Sequence, residues 1–298
     1  MVSISMQFSN KNQGDDTIRK QASHIGSKTL DTNAYMQNLL VANPLRASTL
    51  RAVIRVLQIP SGSRGLDAGC GIGLQCLALA EAVGLSGHVT GVDLSAEFLD
   101  CGREIAQKAG LSERISFQKG DVAKLPFDNN TFDWAWSADC VGYAPWDSLL
   151  LLKELARVVK PGGFVSISAW SSENLLPGHP RLEARLRATS VGIAPFVHGK
   201  KPETHFLRAL GWFRQLGLKE PRATVFADSF HAPLRREIRN ALISLFHMRW
   251  PDVERELTSD DRAEFRRLCR SDSPDFILNL PDYYAFFTYT LFWGKIVQ

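Results

Sequence analysis

The sequence predicts an α/β protein: a doubly wound, seven-stranded sheet preceded by helices and overhung by a largely helical cap. Three observations predict it. Short apolar runs alternate with helical stretches through 65–170, the pattern of strands joined by crossover helices into a parallel sheet. The first run breaks on a glycine-punctuated turn, Leu66-Asp67-Ala68-Gly69-Cys70-Gly71-Ile72-Gly73, before a helix begins near Leu74. Two further runs end in an acid, at Asp93 and at Asp121.

The turn is the most informative of these. Glycine tolerates positive φ and carries no Cβ, so three alternating glycines let a ligand approach main-chain N–H groups at a helix start. The dinucleotide fingerprint needs a third small residue where this chain has Leu74. Asp67, just before the first glycine, disfavours an anionic pyrophosphate and suits a ligand with a cationic amine. S-adenosylmethionine meets that demand, with an ammonium and a carboxylate at one end, a ribose, an adenine and a sulfonium. Asp93 ends the second strand, 88–93, where an acid in a doubly wound sheet accepts hydrogen bonds from ribose hydroxyls. Asp121, ending a third strand over 115–122, stands where an adenine amino group would donate, with Leu94 and Val122 flanking the ring.

With these residues in view, the chain resembles the class I S-adenosylmethionine-dependent methyltransferases, particularly the ubiquinone and menaquinone biosynthesis group (methyltransferase type 11). LDAGCGIG, GVDLS and GDVAKLPF are followed by Phe132-Asp133-Trp134-Ala135-Trp136-Ser137, similar to the family's fourth strand. Glu154-Leu155-Ala156-Arg157-Val158-Val159-Lys160-Pro161-Gly162-Gly163 is similar to its helix and turn into the fifth. Order and spacing agree over 65–170. The resemblance implies a Rossmann-like fold, methyl transfer, and a cofactor site that includes Asp67, Gly69, Cys70, Gly71, Gly73, Asp93, Leu94, Asp121 and Val122. Ser137 joins them by its position at the fourth strand's end, beside the cofactor's methionine end.

Element by element, residues 1–27 read as a polar, poorly ordered arm without apolar periodicity. Two N-terminal helices, 32–41 and 44–57, follow within 28–60, the Asn43-Pro44 step opening the second. They cover the open edge of the cofactor site, and Tyr35 either closes over the methionine end or belongs to the core. The cofactor-binding core spans 61–170. An insertion rich in proline and glycine, 171–203, precedes a return to the core at 204–227, with a helix over 204–216 and a strand over 222–227. A helical insertion, 228–282, separates this from a final core strand within 283–298. Chemistry in this architecture lies beyond the C-terminal strand ends, so the insertions and the N-terminal helices are expected to form a substrate-recognising cap.

Composition bounds the rest. A chain of 298 residues, 45% hydrophobic, can bury one large core with an appended cap. Five scattered cysteines, Cys70, Cys76, Cys101, Cys140 and Cys269, show neither a disulfide framework nor metal-ligand spacing, so no metal is expected and a reducing cytoplasm is. The first twenty residues lack a signal-peptide apolar region, and no convincing membrane span is seen. Net charge is a modest +4. The arginines of the insertions are interleaved with Glu183, Glu237 and Glu264 as on solvated helix faces. The partner expected is therefore a small molecule and not a nucleic acid, with oligomeric state open.

A sulfonium methyl is already activated, so the protein has to align a nucleophile and exclude water. If the acceptor must lose a proton, the loop after the fourth strand offers Asp139 and Tyr143 as catalytic candidates, beside Trp136 and Trp146. Two other readings stand beside this one. One is a thiol or metalloid methyltransferase using Cys140. The other is a non-catalytic protein that binds S-adenosylmethionine.

Overall fold

The computed structural model describes residues 32–142, 147–190 and 202–297. The expected arm 1–27, Tyr143, Trp146 and part of the 171–203 insertion lie outside the described residues. In chain order the elements are α1 (Thr32–Val56), β1 (Arg64–Ala68), α2 (Leu74–Val83), β2 (His88–Asp93), α3 (Ala96–Lys108), β3 (Ile115–Lys119), β4 (Phe132–Ala138), α4 (Ser148–Val158) and β5 (Val159–Asn174). They continue with α5 (Pro180–Ala188), α6 (Ala209–Gln215), β6 (Lys219–His231), α7 (Arg236–Arg249), α8 (Ser259–Cys269) and β7 (Tyr284–Lys295).

The seven strands form one sheet in the order β3-β2-β1-β4-β5-β7-β6. The first five run parallel, and β7 inserts antiparallel between β5 and β6. A strand with helices on both sides has no wet face, and β1 and β4 are accordingly apolar nearly throughout, with Leu66, Ala68, Trp134, Ala135 and Trp136 fully buried. The order reverses at β1, whose neighbours are β2 and β4. The ligand crevice of an open α/β sheet therefore lies at the C-terminal ends of β1 and β4.

Three differences from the sequence reading have physical reasons. The two N-terminal helices are one, α1, with Pro44 inside it. Proline removes one intrahelical bond, but Leu45, Leu50, Val53 and Ile54 anchor the helix beyond it in the core. The third strand stops at Lys119, because Asp121 turns the chain: its Oδ1 accepts the Ala123 N–H at 2.8 Å. The strand expected over 222–227 is β6, extended to thirteen residues by pairing along β7.

The ELARVVKPGG segment has a structural task. Arg157, near the end of α4, donates to the carbonyls of Phe127 (2.8 Å) and Leu125 (3.1 Å), while Glu154 accepts from the Leu125 N–H at 3.0 Å. The pair ties the loop before β4 to the helix after it. The cap has its own apolar cluster, in which Leu175, Leu182, Ile238, Leu242, Phe246 and Phe276 pack with Leu45 of α1. Its arginines are largely engaged: Arg249 meets Glu173 at 2.6 Å, Arg185 pairs with Asp261, and Arg270 meets Glu254 at 2.9 Å.

Gly65 in β1 tests the packing directly, since a Cβ there would overlap the Trp134 ring, which is buried and holds Ser63 Oγ through its indole N–H at 2.9 Å. Gly65→Ala is expected to cost about 1–3 kcal/mol by overpacking, read as a lowered urea midpoint. An unchanged midpoint would mean that β1 and β4 are less tightly seated than described.

Candidate functional site

A cavity of about 330 Å³ lies at the C-terminal ends of β1, β2 and β4. The glycine turn forms its floor, with Gly69, Cys70, Gly71 and Ile72 lining it; Asp93 and Phe98 stand on one side, Asp139 and Cys140 on the other, and α1 covers it with Tyr35, Leu39 and Arg46. A larger cavity, about 620 Å³, lies in the cap around Trp250, Phe265 and Cys269, away from the strand ends.

The floor can fold this way because of its glycines. Gly69 has φ +75°, and a Cβ on it would overlap Cys140 Sγ. Gly71 has φ +53° and nothing within 4 Å of where its Cβ would stand, so its main chain faces open space in which a ligand can lie. Gly73, at φ +72°, precedes α2. Asp93 clamps this turn: Oδ2 accepts the Gly71 N–H at 2.9 Å and Oδ1 the Ser95 N–H at 3.0 Å. The cap of α3 is Ser95, whose hydroxyl accepts the Phe98 N–H at 3.2 Å. Asp93 thus keeps further lone pairs toward the cavity. The Tyr35 ring stacks on Phe98, centroids 5.9 Å apart, closing α1 over this half.

Asp67 lies beneath the floor with no exposed surface. Its Oδ2 accepts from the Cys76 thiol at 3.2 Å, and Oδ1 is buried without a partner. Burial pushes its carboxyl up to about 7, against the Cys76 hydrogen bond that lowers it, with a smaller upward push from Asp93. An orphaned carboxylate oxygen costs free energy unless a donor or a positive charge approaches. A glycine cradle above it and an acid at its side fit a ligand that carries an ammonium and a ribose.

On the far side Asp139 is held at φ +51° with both oxygens occupied. Oδ1 accepts the Trp170 N–H at 3.0 Å; Oδ2 accepts the Tyr289 hydroxyl at 2.7 Å and Arg46 Nη1 at 3.2 Å. These three donors stand where an acceptor's proton would have to approach. Cys140 lines the cavity, but burial pushes its thiol up to about 12, so it stays protonated at neutral pH.

Besides Asp67 beneath the floor and Gly73 ahead of α2, four more residues expected at the site stand outside the cavity lining. Ser137 is buried and donates to the Ala68 carbonyl at 2.8 Å, joining β4 to β1. Asp121 is engaged in its own turn, Val122 is buried in the main core, and Leu94 is exposed beyond Asp93. The sequence reading missed Arg46, Leu39, Gln75, Phe98 and Tyr289. Gln75 Oε1 accepts the Trp136 indole N–H at 2.8 Å, which places it at the cavity wall. Phe98 had a signal, three residues after a serine cap; Arg46 and Tyr289 had none. Among the described residues no group of three or more His, Cys, Asp or Glu is arranged to hold a metal ion, and no helix is long and apolar enough to cross a membrane.

The raised Asp67 carboxyl has a consequence for stability. A folded-state value of about 7 against an ordinary 3.8 costs nothing below pH 4, and the cost grows as pH rises to about 7. At most it reaches about 4 kcal/mol once the group is fully ionised. Asp67→Asn should therefore gain stability relative to the unmutated chain on moving from about pH 5 to about pH 8, measured by urea unfolding without ligand. An equal difference at both pH values would contradict the assignment.

Known proteins place this geometry. The family described as "Methyltransferase domain" matches residues 66–163. Demethylmenaquinone methyltransferase of Staphylococcus epidermidis is 40% identical over 125 residues, covering 42% of this chain and 50% of that protein. The enzyme of the same name from Staphylococcus aureus is 37% identical over 127 residues, covering 43% and 51%. The chain thus spans about half the length of the curated relatives it matches. Among solved structures, a Bacillus halodurans protein described as a methyltransferase superposes with a TM-score of 0.52 at 15% identity, covering 84% of this chain and all of that one. Geranyl diphosphate C-methyltransferase of Streptomyces coelicolor gives 0.50 at 18% identity, covering 86% and 82%. These two share the Rossmann-like α/β fold. The floor of the cavity and the residues at the ends of β1, β2 and β4 belong to the segment that matches the methyltransferase domain, and α1 closes the cavity from outside that segment.

Proposed function

We propose that this protein transfers the methyl group of S-adenosylmethionine to a small organic acceptor. The observation that carries the reading is the row of acids at adjacent strand ends, Asp93 on β2 and Asp67 on β1, beneath and beside a glycine turn whose main chain is open to the cavity. Asp93 would hold the ribose, the main chain of Gly69 and Gly71 the amino-acid end, and Asp67 would supply negative potential under the ammonium. Tyr35 and Phe98 would shield the half of the site that holds the nucleoside. The cofactor supplies a methyl group already activated on sulfur; alignment and exclusion of water fall to the chain, and α1 is placed to do both.

The acceptor is not carried over from the relatives, because the matched segment ends before the cap. A hydroxylated ring of the kind their name implies is the first candidate to try. The Cys140 thiol, held protonated by burial, gives no support to a thiol or metalloid acceptor site. Five free cysteines, three of them buried, suit a reducing cytoplasmic setting.

Calorimetry on the full chain tests the reading. S-adenosylmethionine and S-adenosylhomocysteine should bind and NADH should not; Asp93→Ala should weaken binding by roughly 1.5–3 kcal/mol, the worth of charge-assisted hydrogen bonds, with the fold unchanged. Silence toward both sulfur ligands, or preference for NADH, would overturn the assignment.

A further inference from the structure

Arg46 is the one cation in the cavity lining among the described residues. It reaches in from α1, its side chain is 20% exposed, and only Nη1 has a carboxylate partner, Asp139 at 3.2 Å. Its Nε–H is buried with no hydrogen-bond partner. The groups facing it are Asp139 at the end of β4, Tyr289 on β7 and Tyr35 on α1 itself. Burial works against its charge, but Tyr289 and Asp139 outweigh burial, and the guanidinium remains ionised. Asp139 is in turn fixed by Tyr289 and by the Trp170 main chain on β5. The arrangement is a clamp: β5 and β7 hold one carboxylate, which in turn holds one guanidinium at the cavity lining.

Strand order decides what the guanidinium faces. Asp93 and Asp67, the residues suited to ribose and ammonium, lie on β2 and β1; Arg46, Asp139 and Tyr289 lie on the β4, β5 and β7 side of the crevice. A cofactor spread over β2 and β1 leaves this second side to the acceptor. Asp139 is saturated with donors, Cys140 is protonated, and no histidine lines the cavity. Among the described residues that line this second side, none offers a free base, whereas a buried guanidinium favours an acceptor that arrives already ionised.

We propose that Arg46 receives an ionised oxygen of the methyl acceptor, a phenolate or enolate, and that Asp139 and Tyr289 are positioning residues that aim it. This rests on the methyltransferase reading given above. It assigns Asp139 a role other than general base and limits acceptors to acidic hydroxyl compounds: the ionised oxygen, or a carbon conjugated to it, bonds to the methyl group as the S–CH₃ bond breaks and neutral S-adenosylhomocysteine leaves, and a ring carbon so methylated gives up its proton to water.

The test uses the full chain saturated with S-adenosylhomocysteine and 4-nitrophenol as probe, since its visible absorbance reports ionisation. The complex should bind the probe as phenolate and lower its apparent pKa, raising the ionised fraction by about 10- to 100-fold at a pH where the free phenol dominates. Arg46→Gln should abolish the shift, Arg46→Lys should keep part of it, and Tyr289→Phe should diminish it, all with homocysteine-ligand affinity retained. Absence of ionised probe in the unmutated complex, or an equal shift in Arg46→Gln, would overturn the proposal. So would an Arg46→Gln loss of S-adenosylhomocysteine binding with 5′-methylthioadenosine binding intact, because that ligand lacks the amino-acid end and Arg46 would then serve the cofactor's carboxylate. Failure of the unmutated chain to bind S-adenosylhomocysteine at all would instead sink the methyltransferase reading itself.

Discussion

A carboxyl with no access to water, Asp67, sits where the parallel sheet changes direction, and the site is arranged around its unmet need. β1 is the strand at which the order reverses, so its C-terminal end opens a crevice that helices on either face cannot fill. An aspartate in the last turn of such a strand is buried by its neighbours, and one oxygen is left without a donor. The glycine turn above exposes main chain in place of side chains, so whatever enters the cavity approaches the buried carboxyl closely. The free chain bears the cost of that arrangement, and a cationic ligand relieves it.

The second layer of organisation is α1, which is outside the segment matched to other methyltransferases. It is tied along its length to elements far away in sequence: Asn38 to Ser244 of α7, Tyr35 to Phe98 of α3, Arg46 to Asp139, and Ser48 and Thr49 to Asp228 of β6. Individually, half-exposed hydrogen bonds and ring contacts are worth on the order of 1 kcal/mol. Together with Leu45, Val53 and Ile54 in the cores beneath, they fix a wall without which the cavity would be an open shelf. The N-terminal helix, held by α7 and β6, therefore shapes one side of the site, while strands and glycines shape the other.

Local chemistry was legible in the amino-acid sequence and distant chemistry was not. The glycine turn, Asp93 and the parallel strands each announce themselves within ten residues, because turn geometry and strand periodicity are local constraints. Pro44 misled because the penalty of an internal proline is a few kcal/mol, which burial of the following turns can offset. Asp121 misled because an aspartate that ends a strand and one that makes a turn look alike until the Ala123 amide is placed. Asp139 lines the cavity, yet its partners include residues 93 before it and 150 after it. No pattern marks Arg46 among the arginines or Tyr289 among the aromatics of the last strand, and their meeting depends on β7 lying antiparallel beside β5.

The central claim is that Asp67, protonated in the free protein below about pH 7, is ionised there by the arrival of a cationic amine above it. Calorimetric titration of S-adenosylmethionine near pH 6, repeated in buffers of different ionisation heat, measures the protons released on binding. The account predicts release approaching one proton per ligand bound, absent in Asp67→Asn. Binding without proton release, or equal release from the variant, would contradict it.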